Sequence, residues 1–206
     1  MQGMRYIQPL FKLPYSYDDV RRMIAHSVGC EVNFRHHNLV IDENMNDAMN
    51  KAADFLTQGK KFGLLICGTL GNGKTTLLRA LQTVINCCEI KDRYDQEYSV
   101  RFYTAMDICR AAKENRDSFR KIIESPALAI DDLGEEPLEV LVYGNASNPL
   151  IELLSYRYEK QLLTMITTNL GNQKIRSCYG DRIADRFNEM MQVIIFTNPS
   201  YRTQKS

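Results

Sequence analysis

The 206-residue sequence contains no apolar run long enough to cross a bilayer, and its first thirteen residues contain no apolar signal core. Its six cysteines form no C-x-x-C pair, which argues against a zinc site and favours reduced thiols. The formal net charge is +1, which excludes a polycation that binds nucleic acid through bulk charge alone but permits a local basic face. These absences predict a cytoplasmic protein with no membrane contact.

What the sequence does contain is a glycine-rich loop between a predicted strand and a predicted helix. The segment Gly68 to Thr75 matches G-x-x-x-x-G-K-[ST] at every fixed position, and the apolar run Leu64 to Cys67 precedes it. Glycines let successive backbone N–H groups point at a phosphate, and the start of the following helix adds its positive dipole end. The predicted nucleotide-binding residues are Gly68, Thr69, Leu70, Gly71, Asn72, Gly73, Lys74, Thr75 and Thr76.

Two carboxylates end a second apolar strand, Ala127 to Gly134. In a phosphate-loop protein such a strand lies beside the loop, so Asp131 is predicted to share a magnesium ion with the Thr75 hydroxyl. Asp132 is predicted to face the γ-phosphate and polarise a water molecule, while Lys74 reaches the β- and γ-phosphates. The predicted cofactors are therefore ATP and Mg²⁺.

Three polar side chains further along the chain are additional candidates. Asn169 follows the predicted strand Leu162 to Thr168 and could orient water at the γ-phosphate, or it could instead cap a helix that begins near Gln173. Arg182 and Arg186 are four residues apart and share a helical face. They could form local ion pairs with acidic neighbours, or serve as arginine fingers for the nucleotide of an adjacent subunit.

The spacing of apolar residues in the rest of the chain predicts alternating helices and strands. Residues 1–43 are expected to form a helical and extended segment, with a helix over Asp18 to Ala25. Residues 44–206 are expected to form the main domain, which begins with a helix over Asn44 to Thr57. Leu138 to Asn148 is predicted to be a flexible connection. The five predicted strands are Leu64 to Cys67, Val100 to Tyr103, Ala127 to Gly134, Leu162 to Thr168 and Gln192 to Phe196.

The order of these motifs resembles that of AAA+ ATPases, specifically the DnaC- and IstB-like branch of helicase loaders and transposition helpers. The resemblance covers Asn44 to Arg202 and implies a three-layer α/β P-loop NTPase fold, with five parallel strands in the order 5-1-4-3-2. The sequence departs from the family after the fifth strand, where a helical lid would follow, so no C-terminal lid domain is expected. The corresponding motifs are Gly68 to Thr75 (Walker A), Leu128 to Gly134 (Walker B), Ile166 to Asn169 (sensor 1), Gly180 to Arg186 (the box with the trans-acting arginine) and the ending Ser200 to Arg202.

The resemblance also implies a function. A protein of this type binds and hydrolyses ATP with magnesium, and thereby loads or remodels a replicative helicase on single-stranded DNA or assists a transposase. Arg186, with Arg182 beside it, would complete the site of the next subunit through self-association. Asp132 stands where many AAA+ proteins have glutamate, so hydrolysis is expected to be slow. The candidates for DNA contact are Arg110, Lys113, Arg116 and Arg120.

Two other classes of function fit the sequence as well. A small-molecule kinase uses the same loop and sometimes carries Asp-Arg-aromatic triplets such as Asp185-Arg186-Phe187 or Asp92-Arg93-Tyr94, but no acceptor pocket is evident here. A non-enzymatic adaptor would use ATP only to stabilise a conformation that binds a partner.

Overall fold

The computed structural model describes residues 9–91, 97–142 and 145–201, so Arg202 and the triplet Asp92 to Tyr94 lie outside the described residues. The helices are α1 (Tyr17–Phe34), α2 (Glu43–Thr57), α3 (Lys74–Cys87), α4 (Ala105–Glu114), α5 (Arg116–Ile123), α6 (Pro149–Lys160), α7 (Asn172–Tyr179) and α8 (Asp181–Met190). The strands are β1 (Gly63–Gly68), β2 (Val100–Thr104), β3 (Ala127–Leu133), β4 (Val140–Val142), β5 (Asn145–Ser147), β6 (Leu163–Thr168) and β7 (Met191–Phe196). Within the described ranges, no helix is both long and apolar enough to cross a bilayer.

The main sheet has five strands in the order β2-β3-β6-β1-β7, and every pairing is parallel. Counted along the chain as strands 1 to 5, this is the order 5-1-4-3-2 read from the opposite edge, so the predicted topology is confirmed. All five predicted strands are present. Because strand β6 lies between β1 and β3, its carboxyl end lies between the glycine-rich loop and the two carboxylates.

Helices cover both faces of the sheet and produce two hydrophobic clusters. Along β1, Leu64 and Ile66 point into one cluster and Leu65 into the other, as the alternation of side chains in a strand requires. The first cluster contains side chains of α1, α2 and α3, and the second those of α4 to α8. The three layers hold the carboxyl edge of the sheet rigidly, which is where the predicted site residues lie.

The N-terminal helix α1 is longer than the sequence predicts. Ser16 caps it by accepting the N–H of Asp19, and its buried side chains Val20, Ile24 and Val28 continue the apolar face beyond Ala25. These side chains share one cluster with α2 and α3. The boundary between residues 1–43 and 44–206 stays a prediction, but α1 packs directly onto the helix that follows the glycine-rich loop.

The segment Leu138 to Asn148, predicted as a flexible connection, contains an antiparallel pair instead. Strands β4 and β5 form a separate two-stranded sheet. The prediction missed these strands because each has only three residues, too few for a periodic hydrophobic pattern. Helix α6 then starts at Pro149, where the Asn148 side chain accepts the N–H groups of Leu150 and Ile151.

A fully buried arginine, Arg157, joins α6 to the amino ends of two strands. Its side chain donates to the carbonyl oxygens of Ile123, Ser125 and Leu163 and to Oγ1 of Thr164, at 2.5 to 3.0 Å. Burial lowers the pKa of this guanidinium to about 9, so it remains charged at neutral pH. Nothing in the sequence singles this residue out, because a helical arginine is ordinarily solvent-exposed.

Candidate nucleotide-binding site

A cleft of about 600 Å³ lies at the carboxyl edge of the sheet. One wall is the glycine-rich loop from Leu70 to Thr76, with Asp132 and Asn169 beside it. The rest of the lining comes from the end of α1, the segment that follows it, Met45 of α2, and Tyr201. Ligands of open parallel sheets bind in such a crevice outside the carboxyl ends of the strands. The structure thus brings the predicted loop, one predicted carboxylate and the predicted amide to one cavity.

The loop has the backbone geometry that its glycines permit. Gly73 has a φ of +98° and precedes the first residue of α3, so the helix begins at Lys74. A Cβ atom at Gly73 would lie 2.8 Å from Cε of Met45 and 3.2 Å from the Tyr201 ring. Only glycine combines this conformation with such close packing. The backbone N–H groups at the start of α3 are consequently available to an anion.

Lys74 is buried, and the loop itself supplies acceptors for its ammonium group. Nζ donates to the carbonyl oxygen of Thr69 at 2.6 Å and to Oδ1 of Asn72 at 3.2 Å. The Asn72 amide in turn donates to the carbonyl oxygen of Phe196 at 3.4 Å, which ties the loop to the end of β7. A phosphate group would offer this lysine charged acceptors, and charge-assisted hydrogen bonds are about twice as strong as neutral ones.

The predicted magnesium ligands lie next to each other. Thr75 Oγ1 donates to Asp131 Oδ1 at 3.0 Å, and Thr167 Oγ1 donates to the same oxygen at 2.6 Å. Magnesium prefers hard oxygen donors and usually takes only one or two of them from protein, so a hydroxyl and a carboxylate at this distance fit the ion. In the described ranges, no group of three or more His, Cys, Asp and Glu side chains could hold a metal by itself.

Asp132 is oriented differently from its neighbour because β3 is irregular at this point. The register with β6 shifts between Ile130 and Leu133, and Asp132 has a φ of +57°. Its N–H donates to Thr167 Oγ1 at 2.8 Å, which stabilises a backbone conformation that costs about 1 to 3 kcal/mol. As a result, Asp131 faces Thr75 while Asp132 lines the cleft. Strain of this kind is concentrated at functional sites.

Thr167 is a site residue that the sequence analysis missed. It contacts both carboxylate-bearing residues of β3, whereas the sequence argument selected the polar residue that follows the strand, Asn169. The signal was present, since Thr167 lies inside a fully buried strand where a hydroxyl group needs a partner.

Asn169 lines the cleft, as predicted for a residue that orients water. Its side-chain amide is exposed and donates to Glu135 Oε1 at 3.4 Å. The alternative role as a helix cap is wrong, because α7 begins after Gly171 without any side-chain cap. The amide therefore remains available at the cleft.

Gly134 follows the strained strand end and has a φ of +105°. A Cβ atom there would lie 2.7 Å from Cγ of Leu170. We expect Gly134→Ala to lower the free energy of unfolding by about 2 kcal/mol and to weaken ATP hydrolysis by displacing Asp132. Gly171→Ala is the matched control, since a Cβ atom at Gly171 meets nothing within 4 Å. Urea denaturation and steady-state hydrolysis measure the two effects, and equal stability of the two variants would contradict the prediction.

Tyr201 and Cys67 complete the surroundings of the loop. The Tyr201 N–H donates to the Gly71 carbonyl oxygen at 2.9 Å, and its hydroxyl donates to Oδ1 of Asp42, the N-cap of α2, at 2.8 Å. Burial, with the Asp42 hydrogen bond, raises the pKa of Tyr201. Burial also raises the pKa of the Cys67 thiol, at the end of β1, to about 11. Both groups are therefore neutral at physiological pH and act as packing elements.

The two candidate arginines are separated by one turn of α8 but differ in environment. Arg182 is exposed, whereas Arg186 is 8% exposed and donates to Glu159 Oε1 at 2.6 Å. The acidic neighbours expected to pair with them, Asp181 and Asp185, instead bind Arg176. The expectation of local ion pairs was thus wrong about the partners, because α7 and α8 pack together and bring Arg176 to these carboxylates.

The basic residues considered for DNA contact lie on two consecutive helices. Arg110 and Lys113 are on α4, Arg116 and Arg120 are on α5, and all four are exposed. Two of the four are paired within their own helix, Arg110 with Asp107 and Arg120 with Glu124. Such pairs are typical of any solvated helix face, so DNA contact by these residues stays a prediction.

The chain was compared with known families and solved structures. The model of the family described as IstB-like ATP binding protein matches residues 31–206. The crystal structure of the DnaC helicase loader is 22% identical with a TM-score of 0.61, over 85% of this chain and 99% of that chain. DnaI is 21% identical with a TM-score of 0.60, over 93% of this chain and 96% of that chain.

The replication initiator DnaA bound to AMPPCP and single-stranded DNA is also similar, with 18% identity and a TM-score of 0.57. The match covers 79% of this chain and 49% of that chain. At these identities the solved structures establish the fold alone, and they agree with the parallel sheet and helical layers described above.

Proposed function

Because the chain belongs to the family of IstB-like ATP binding proteins, in the DnaC- and IstB-like branch of AAA+ ATPases, we propose that it hydrolyses ATP with magnesium to load or remodel a replicative helicase on single-stranded DNA. The observation that carries the proposal is the convergence of Lys74, Thr75 and Asp132 at one cleft, with Asp131 beside Thr75. Thr75 and Asp131 are already hydrogen-bonded to each other, and Asp132 lines the cavity.

Each residue of the cleft has a proposed part in binding. Lys74 and the N–H groups at the start of α3 hold the phosphate groups, and Thr75 with Asp131 holds magnesium. Magnesium bound there neutralises charge on the phosphate oxygens. The apolar part of the lining outside the loop holds the base, and its side chains are Val32, Leu39, Val40, Met45 and Tyr201.

The proposed catalytic roles fall to groups that face the cavity. The Asp132 carboxylate accepts a proton from the attacking water, and the Asn169 amide orients that water. Aspartate is shorter than glutamate and reaches less far from its strand, so turnover of the isolated subunit is slow. We further propose that Arg186, with Arg182 beside it, acts on the nucleotide of an adjacent copy, which makes hydrolysis dependent on protein concentration.

The partners follow from the relatives and remain part of the proposal. Two similar structures are those of a helicase loader and of an initiator bound to single-stranded DNA, which supports a replicative helicase and DNA as partners. The family description supports a second candidate, an ATP-dependent helper of a transposase. The proposed location is the cytoplasm, and the six free thiols support a reducing compartment.

The proposed activity is tested by incubating the protein with ATP and magnesium, with and without single-stranded DNA, and separately with a panel of nucleosides. We expect slow hydrolysis that single-stranded DNA stimulates. A phosphorylated nucleoside would instead identify a kinase and contradict the proposal. Co-purification from the native host then decides between a helicase and a transposase as the partner.

We expect Lys74→Ala to weaken ATP binding by about 30-fold, equivalent to about 2 kcal/mol for a lost charge-assisted contact. Titration with a fluorescent ATP analogue measures the change. Lys51→Ala is the control, because the Lys51 side chain is half-exposed, pairs with Asp47 on its own helix and does not line the cleft. Unchanged affinity in Lys74→Ala would mean that the cleft does not bind nucleotide phosphates.

A further inference from the structure

The side chain of Arg186 is almost completely enclosed within its own subunit. Its Nη2 atom donates to Glu159 Oε1 at 2.6 Å, and its guanidinium carbon lies 4.6 Å from the centre of the Tyr158 ring. The Tyr158 hydroxyl is itself held by Glu189, at the end of α8. Glu159 is half-exposed, so one counterion at the surface compensates this buried charge.

The other terminal nitrogen of Arg186 is not satisfied. In the part of the chain that the structure describes, Nη1 of Arg186 is buried and has no hydrogen-bond partner. An unpaired buried donor is costly, and a native structure that retains one calls for an explanation. A guanidinium normally binds an anion with two parallel N–H groups, but here Glu159 occupies only one of them.

We propose that Glu159 and Tyr158 are positioning residues that keep Arg186 retracted in the free subunit, and that Arg186 extends only when a phosphate anion on an adjacent copy replaces Glu159 as its partner. Because Nη1 is unsatisfied, the retracted state is less favourable than a state in which both terminal nitrogens of Arg186 bind one anion. A triphosphate supplies oxygens for both terminal nitrogens, so exchange of the carboxylate for phosphate gains a hydrogen bond. This inference rests on the proposed trans role of Arg186.

The neighbouring arginine shows what retraction changes. Arg182 lies on the same helix, one turn earlier, and is exposed to solvent without the enclosure that Glu159 and Tyr158 provide. An arginine with only a trans role would be expected to resemble Arg182. The enclosure of Arg186 therefore indicates control over when its charge becomes available. Only subunits with an extended Arg186 can contact the adjacent nucleotide, so the apparent affinity between subunits is lowered in proportion to the fraction of such subunits.

The first test measures whether Glu159 retains the side chain. Phenylglyoxal modifies accessible guanidinium groups, and peptide mass spectrometry reports the rate at Arg186 without nucleotide. We expect Glu159→Gln to increase this rate by about tenfold, because the buried charge then has no counterion. Asp185→Asn is the matched control: it removes a neighbouring negative charge that pairs with Arg176 and leaves Arg186 untouched. An unchanged rate in Glu159→Gln overturns the proposal.

The second test measures the consequence for assembly. In Glu159→Gln, the protein concentration for half-maximal ATP hydrolysis should fall by about tenfold, while Glu159→Asp should behave like the wild type. Faster modification with an unchanged concentration dependence would overturn the link to the adjacent copy. A loss of thermal stability without faster modification would show a purely structural pair and also overturn it. If the wild type hydrolyses no ATP at any concentration, the proposed function fails instead, and the modification rate still tests retraction.

Discussion

Asp132→Asn is expected to reduce the rate of ATP hydrolysis by at least about 100-fold, the lower end of what a general base contributes. Asparagine has nearly the same shape but cannot accept the proton of the attacking water. The strained backbone at this position should be preserved, because it depends on the N–H group that binds Thr167 and because asparagine tolerates positive φ. ATP binding should therefore change by less than about threefold, since the phosphate and magnesium contacts belong to Lys74, Thr75 and Asp131.

Single-turnover hydrolysis and equilibrium nucleotide binding separate these two quantities. Asp47→Asn is the matched control, because Asp47 is a half-exposed aspartate that pairs with Lys51 and does not line the cleft. Full turnover by Asp132→Asn would refute a base role for this carboxylate. The variant also distinguishes an ATPase cycle from a non-enzymatic adaptor, because an adaptor would retain its activity in the cell without hydrolysis.

Arg157→Met is expected to lower the free energy of unfolding by about 3 to 5 kcal/mol. Methionine fills most of the volume but leaves the buried carbonyl oxygens of Ile123, Ser125 and Leu163 without their donor. These oxygens lie where α5 ends and where β6 begins. Loss of the hydrogen bonds from Arg157 is therefore expected to separate α6 from the sheet. No other side chain is described as bonding to these three carbonyl groups, and water cannot reach them at a fully buried site.

Denaturation in urea measures the loss, and Arg120→Met provides the reference. Arg120 is exposed and pairs with Glu124 within one helix, so its replacement should change the free energy of unfolding by less than about 0.5 kcal/mol. A loss below about 1 kcal/mol in Arg157→Met would show that the fold can satisfy these carbonyl groups in another way.

The nucleotide loop was predictable because all its information is local. The fixed spacing from Gly68 to Thr75 and the apolar positions on either side determine a strand, a turn and a helix without reference to the rest of the chain. Helix α2 spans Glu43–Thr57 and so agrees with the predicted range Asn44 to Thr57 to within one residue. The strand order followed from the resemblance rather than from periodicity, since hydrophobic patterns do not specify which strands are neighbours.

Some of the errors concern the contact partners of individual side chains. The cap proposed for Asn169 and the ion pairs proposed for Arg182 and Arg186 were inferred from sequence neighbours. In the folded chain, Arg186 binds Glu159, 27 positions away, and Thr167 binds Asp131, 36 positions away. A short range of sequence contains no information about such partners.

The sequence by itself determined the loop that curls around an anion, the two acidic residues at the end of a buried strand, and the class of elements along the chain. Each depends on the conformational preferences and hydrophobic spacing of consecutive residues. Only the tertiary structure decided that Thr167 supports both aspartates, that Arg157 is enclosed among carbonyl groups, and that Arg186 is withdrawn from solvent while Arg182 is not. These features depend on which surfaces pack against one another, and packing brings together residues that the sequence keeps far apart.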